Sequence, residues 1–97
     1  MNIQALMKQA QSLQKEMLKT KEEIDKTEFI KKNGVVTVRV NGKKEVLSIK
    51  IDSTELELDD IEVLEDMIMV CINLAFKDVD SLTESKMQKY SNIPGIF

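Results

Sequence analysis

MIMVCINLAF, residues 67–76, decides the fold. Nine of its ten residues are apolar, and Asn73 is the exception. At helical spacing these side chains cover every side of a helix, and a helix apolar all round is buried all round. The segment is too short to cross a bilayer, which takes roughly 20 apolar residues. It therefore reads as the middle of a core helix. In a chain of 97 residues the other apolar stretches are one hairpin and one helical stripe, which can cover two sides of it. A second copy of the chain is expected to cover the rest, with Met67, Ile68, Cys71, Ile72 and Ala75 as the dimer core. A small domain has a marginal buried surface, which also favours association.

Upstream, Ile3, Leu6, Ala10, Leu13, Met17, Thr20, Ile24 and Thr27 recur at intervals of three and four. That spacing predicts a first helix over residues 2–30 with a heptad seam, widened by Met7 and Leu18. Such a helix is about 40 Å long, while a compact 100-residue domain has a radius of gyration near 13 Å. The helix should project as an arm or lie along a partner. On its opposite side Lys8, Lys15, Lys19 and Lys26 fall within roughly 40° of one another, in a line of about 27 Å interrupted by Glu22. One reading of this line is a solvated face with pairs such as Lys15–Glu22 or Lys19–Glu23. The other is a row of contacts to the phosphates of a nucleic acid.

Glu28–Gly34 reads as a linker with a helix stop at Asn33-Gly34. Val35–Asp52 alternates as a hairpin. A two-residue turn at Asn41-Gly42 would pair Val38 with Glu45. A four-residue loop, 41–44, pairs Val38 with Leu47 and Val36 with Ile49. The second register keeps one face apolar and is preferred, with Lys43 and Lys44 at the loop tip. Asp59, with Glu62, suits a helix N-cap. The core helix is expected from there to Tyr90, with a bend near Asp78–Ser81. After Phe76 its buried side is Val79, Leu82 and Met87. Residues 91–97, SNIPGIF, form a tail in which Ile96 and Phe97 are able to dock. The fold class expected is α+β in a single domain, as an intertwined homodimer with projecting helical arms: helical arm 1–30, antiparallel hairpin or small sheet 35–52, core helix 59–90, tail 91–97.

Composition narrows the chemistry. There is no histidine, the commonest general base and transition-metal ligand. No CxxC pair, phosphate-cradling glycine loop or nucleophile elbow is present. An enzyme, a cofactor, a catalytic metal and a small-molecule substrate are therefore not expected. Glu55, Glu57, Asp59, Asp60, Glu62, Glu65 and Asp66 lack the glycine and ligand order of a calcium loop, and acids at a helix start favour its dipole. The lone Cys71 allows no intrachain disulfide, suits a reducing cytoplasm and reads as a buried, inert thiol. No signal peptide is expected, because Lys8 precedes any apolar run, and no membrane span is expected either. The net charge of −3 is segregated: residues 1–52 hold 11 basic and 7 acidic side chains (+4), residues 53–97 hold 3 and 10 (−7). Local patches, not the total, steer partners.

Taken together, helix, hairpin, long helix and Pro-Gly tail resemble the YbaB/EbfC family of bacterial nucleoid-associated proteins. The residues carrying the resemblance are LMKQAQSLQKEMLKTKEEI at 6–24, VTVRVNG at 36–42, IKID at 49–52, LEDMI at 64–68, Asn73 and Ala75, and PGIF at 94–97. The resemblance implies a cytoplasmic, nucleoid-associated homodimer that binds duplex DNA with low sequence preference. It implies that the first helix and the C-terminal helix are DNA-binding arms, here Lys8, Lys15, Lys19 and Lys26, with Lys86 and Lys89 at the C-terminal arm. The sequence departs from the family pattern at two places. FIKKNG replaces a glycine-rich stretch before the first hairpin strand, and Lys44 replaces a loop glycine. The other reading is a non-catalytic protein-interaction module that uses the apolar seam of Ile3, Leu6, Leu13 and Met17. Salt dependence separates the two, since phosphate contacts weaken steeply with salt and apolar ones do not.

Overall fold

The computed structural model describes residues 2–55 and 61–91. Within them the chain forms α1 (Ile3–Lys26), β1 (Glu28–Asn33), β2 (Val36–Asn41), β3 (Val46–Ile51), a 3-10 turn at Ser53–Glu55, α2 (Ile61–Met87) and a 3-10 turn at Gln88–Tyr90. The fold is α+β, with one antiparallel sheet in the order β1-β2-β3. The expected Asp59 cap and the docking residues Ile96 and Phe97 lie outside the described residues. α2 is one α-helix through Asp78–Ser81, and its end tightens to 3-10 geometry.

The helix expected over 2–30 stops earlier. Asn2 caps it, its Oδ1 accepting from the Gln4 N–H at 3.0 Å. It ends at Lys26 because Thr27 is extended and turns its hydroxyl onto the Glu23 carbonyl at 2.8 Å. Residues 28–33 are then a strand, not a linker. Phe29, Lys31 and Asn33 face α2, while Glu28, Ile30 and Lys32 face outward. Asn33-Gly34 is not a helix stop. Gly34, at φ +60°, is the first central residue of a two-residue hairpin joining Asn33 to Val36. A positive φ at that position alone is the type II′ signature.

The β2–β3 register also differs from expectation. Val38 pairs with Ile49 and Val36 with Ile51. The cause is the loop. Asn41 Oδ1 accepts from the Lys43 and Glu45 N–H groups, and Lys44 takes the left-handed conformation that a glycine would take without cost. Val40 then pairs with Val46, and the register slips between Arg39 and Val40. A slip of two residues leaves every side chain on its expected face.

Val36, Val38 and Val40 have no exposed surface, and they meet Cys71, Ala75 and Val79 of α2. α2 lies over β1 and β2. The buried Cys71, Ala75 and Val79 set its rotation, and two partly exposed ion pairs mark its two sides: Asp78 to Lys31 on β1 at 3.2 Å, and Asp80 to Lys44 beside β3 at 2.6 Å. Ile72 and Phe76 share the Asp80 stripe at four-residue steps, and Met69 lies beside it, so these three run along the β3 side. Val70 and Leu74 share the Asp78 stripe on the β1 side. One chain thus covers only part of MIMVCINLAF. Met69, Val70 and Leu74 remain 56%, 42% and 36% exposed, and Ile49 and Ile51 on β3 remain 43% and 38% exposed.

The molecule is long, 71 × 17 × 14 Å, with a radius of gyration of 19.6 Å. The N-terminal half of α1 causes this. Its seam is buried at Ile24 and half-buried at Thr20, Met17 and Leu13, where the end of α2 packs antiparallel to it. Beyond that, Leu6 and Ile3 stand 45% and 71% exposed.

Candidate nucleic-acid interface

The apolar seam fixes which way α1 faces. Leu13, Met17, Thr20 and Ile24 turn toward α2, so the side about half a turn away points to solvent. Lys8, Lys15, Lys19 and Lys26 occupy that side, and all four are exposed. Among the described residues Lys8, Lys15 and Lys19 make no ion pair. Lys26 lies 3.5 Å from Glu22 one turn back, a pair of two exposed side chains worth a few tenths of a kcal/mol. The charges on this side are therefore available to a polyanion.

The C-terminal pair sits elsewhere. Lys86 and Lys89, with Leu82 and Ser85, form one wall of a groove of about 390 Å³, and Thr20, Glu23, Ile24 and Thr27 form the other. By helical geometry this groove lies about a quarter-turn round α1 from the lysine line. The two lysines differ. Lys86 makes no ion pair among the described residues. Lys89 is held 2.8 Å from Glu16 and 5.0 Å from the centre of the Tyr90 ring. Tyr90 has no exposed surface, and its hydroxyl lies 3.2 Å from that of Thr20. Glu16, Thr20, Lys89 and Tyr90 are thus a clasp joining the arm to the end of α2, and Lys89 is part of it.

Hydrogen bonds from Lys89 and then Tyr90 hold the Glu16 carboxyl below its ordinary 4.5, and the hydrogen bond to Glu16 raises Lys89 above 10.5. A lowered carboxyl contributes stability above its unfolded value and loses it as pH falls through the folded one. A raised lysine contributes below its unfolded value and loses it as pH rises through the folded one. The clasp should therefore loosen below pH 4.5 and above pH 10.5. Both partners are exposed, so the effect is small and local. Tyr90 is the only tyrosine and there is no tryptophan, so its fluorescence reports the acid-side transition directly. A Glu16→Gln variant should lack that transition.

The expected dimer residues are placed in two layers. Cys71 and Ala75 have no exposed surface and face the chain's own sheet, with Cys71 Sγ 3.1 Å from the Lys31 carbonyl oxygen. Met67, Ile68 and Ile72 are half-buried beside them. The described residues hold no group of three or more potential metal ligands. No described helix is long and apolar enough to cross a membrane.

The family model described as the YbaB/EbfC DNA-binding family matches residues 1–93. The chain belongs to this family. Relatives agree along the chain. A nucleoid-associated protein of Clostridium novyi is 44% identical over 102 aligned positions, covering 100% of this chain and 90% of the relative. Nucleoid-associated proteins of Clostridium kluyveri and Alkaliphilus metalliredigens are 42% and 38% identical, each covering 99% of this chain and 89% of the relative. As a YbaB/EbfC member the chain is a DNA-binding protein of the nucleoid-associated class.

Sequence reasoning passed over one basic group. β1 carries Lys32 and β3 carries Lys50, both exposed on the outer side of the sheet with Thr37 between them. The two apolar residues of EFIKKN, Phe29 and Ile30, are adjacent, so the stretch carries no strand alternation that would place Lys32 on one face.

Proposed function

We propose that this YbaB/EbfC protein is a nucleoid-associated homodimer that grips duplex DNA through phosphate contacts, with low sequence preference. The observation that carries the reading is the line of exposed lysines on a projecting helix in a member of a DNA-binding family. Lysine is a flexible point charge, suited to phosphate and poor at reading bases. The exposed side of α1 offers no aromatic ring for stacking, so duplex is preferred to single strands. Lys8, Lys15, Lys19 and Lys26 are the main contacts and Lys86 a supporting one. Lys89 joins only by leaving Glu16.

The second copy covers what one chain leaves open. Met69 and the half-buried Ile72 and Phe76 are on the side of α2 toward β3, whose Ile49 and Ile51 are also uncovered, and the second copy joins these residues into one apolar interface. Cys71 and Ala75 are its inner layer. Met69 is mostly exposed in the single chain, so Met69→Asp should leave the protomer folded. In the dimer it buries an unpaired charge at a cost of several kcal/mol. Sedimentation at micromolar concentration should give a dimer for wild type and a folded monomer for the variant. A monomeric wild type would overturn this part of the proposal.

The alternative module reading retains support at the tip of α1. Ile3 and Leu6 are exposed, whereas Leu13 and Met17 are already used against α2. Gel retardation of unrelated duplexes at 50 and 200 mM salt decides. With six to ten phosphates engaged, binding weakens by about 10³–10⁵ across that range. Similar affinity for all duplexes with that steep fall supports the proposal. Absence of duplex binding at low salt overturns it in favour of the module.

A further inference from the structure

We propose that the outer face of the three-stranded sheet is a second contact for duplex phosphates, centred on Lys32 and Lys50. The inference rests on the DNA-binding reading above and adds a surface that the helical arms do not include.

The strand register builds the site. Lys32 pairs with Thr37 and Thr37 with Lys50, so the three stand in one row across the sheet. Ile30, Arg39 and Ser48 make the adjacent row on the same face. Ile30, on the edge strand of this face, is 66% exposed, so nothing among the described residues packs on it. Strand spacing sets Lys32 and Lys50 about 10 Å apart at the backbone, a distance over which a duplex presents about six phosphate charges.

Charge distribution supports a polyanion. Other lysines of the sheet region are engaged: Lys31 with Asp78, and Lys44 with Asp80. Arg39 is held by Glu28 at 3.2 Å. Lys32 and Lys50 have no ion pair among the described residues. Asp52 borders the same face and feels the Lys32 charge, but its carboxylate is bonded to its own Thr54, at 2.6 Å from the hydroxyl and 3.1 Å from the N–H, and makes no ion pair with either lysine among the described residues. The acids of α2 lie across the sheet from this face. The segregation of charge in the sequence thus becomes a segregation between the two sides of the sheet, and the outer side is positive although the chain is acidic. Thr37 and Ser48 add hydroxyls able to donate to phosphate oxygens. The face has no aromatic ring on which bases would stack, which selects a duplex backbone over a single strand. The apolar surface assigned to the second copy is on the opposite side of the sheet, so dimerisation leaves this face open.

The test compares K32Q/K50Q with wild type and with Lys77→Gln, which removes an exposed lysine from α2. Retardation of one duplex over a salt series gives the log–log slope. The double variant should have a slope shallower by about one unit for each phosphate no longer engaged, and an affinity roughly 50-fold lower at 0.1 M salt. Lys77→Gln should match wild type. Thr37→Glu, which sets an acid between the lysines, should weaken binding in the same way and serves if the double variant does not fold. A folded double variant with wild-type affinity and slope overturns the sheet contact while leaving the arms as the DNA site. The same slope change in Lys77→Gln also overturns it, since bulk charge would then explain the loss. A wild type that binds no duplex removes both this inference and the reading beneath it.

Discussion

A Gly42→Ala variant is expected to melt about 15 °C or more below wild type. The β2–β3 loop passes directly against the last turn of α1 at this residue. A methyl on Gly42 would lie 1.8 Å from the Ile24 carbonyl oxygen, 2.4 Å from its carbon and 2.9 Å from the Asp25 nitrogen. All three are backbone atoms, so no rotamer relieves the clash. The α1 turn has little room to move. Ile24 is buried, its carbonyl accepts from the Thr27 N–H at 3.0 Å, and β1 starts one residue later. Either the arm tilts away from the sheet or the loop lifts and breaks the Asn41 hydrogen bonds. Overpacking against rigid neighbours costs about 3 kcal/mol, and each kcal/mol is worth about 4–8 °C in a domain of this size. Gly34→Ala is the informative contrast. Its methyl would meet only the Met67 side-chain tip at 3.1 Å, so the main cost is the positive φ, about 1 kcal/mol. Thermal melts followed by circular dichroism check both, and a Gly42→Ala protein melting within a few degrees of wild type would contradict the close approach.

What the sequence disclosed and what it withheld follow from range. The all-round apolar segment, the seam of α1 and the valine alternation of β2 are local periodicities, and each landed in the expected element. β1 did not, because EFIKKN carries little apolar signal of its own. It is a strand because Val36–Val40 offers it an edge and Phe29 packs beneath α2, both properties of the assembled fold. The register of β3 escaped for another reason. A two-residue slip preserves face and parity, so burial patterning could not separate the two pairings. Only the left-handed Lys44 and the Asn41 side-chain bonds decide between them. Helical angles separated the lysine line from the seam in the sequence. They could not reveal that Glu16 lies beside Lys89, 73 positions away, because that contact needs α2 folded back along the arm. For the same reason Lys32 and Lys50 met only once three strands were in place.

The largest functional effect is expected from converting Lys8, Lys15, Lys19 and Lys26 together to glutamine. Glutamine matches lysine in helix propensity, and these side chains are exposed, so the arm should stay helical and the melt should change little. The seam that docks α1 on α2 is untouched. Binding is another matter. Each neutralised phosphate adds about 0.9 to the log–log salt slope, so removing all four lysines from one engaged arm lowers the slope by about 3.6 units. At 0.1 M salt that corresponds to roughly a 10³-fold weaker affinity, and engagement of both arms would increase the effect. The drop should be the same for every duplex sequence, because no base-reading side chain is removed. Lys26 should contribute least of the four, since it must leave Glu22 to reach a phosphate. Restoring either Lys15 or Lys19 alone should therefore recover more affinity than restoring Lys26 alone. Titration of two unrelated duplexes across a salt series measures all of this on one protein. A folded quadruple variant with unchanged affinity and slope would move the principal contact off α1. A drop confined to one duplex would instead mean that the arm reads sequence, against the phosphate-contact account.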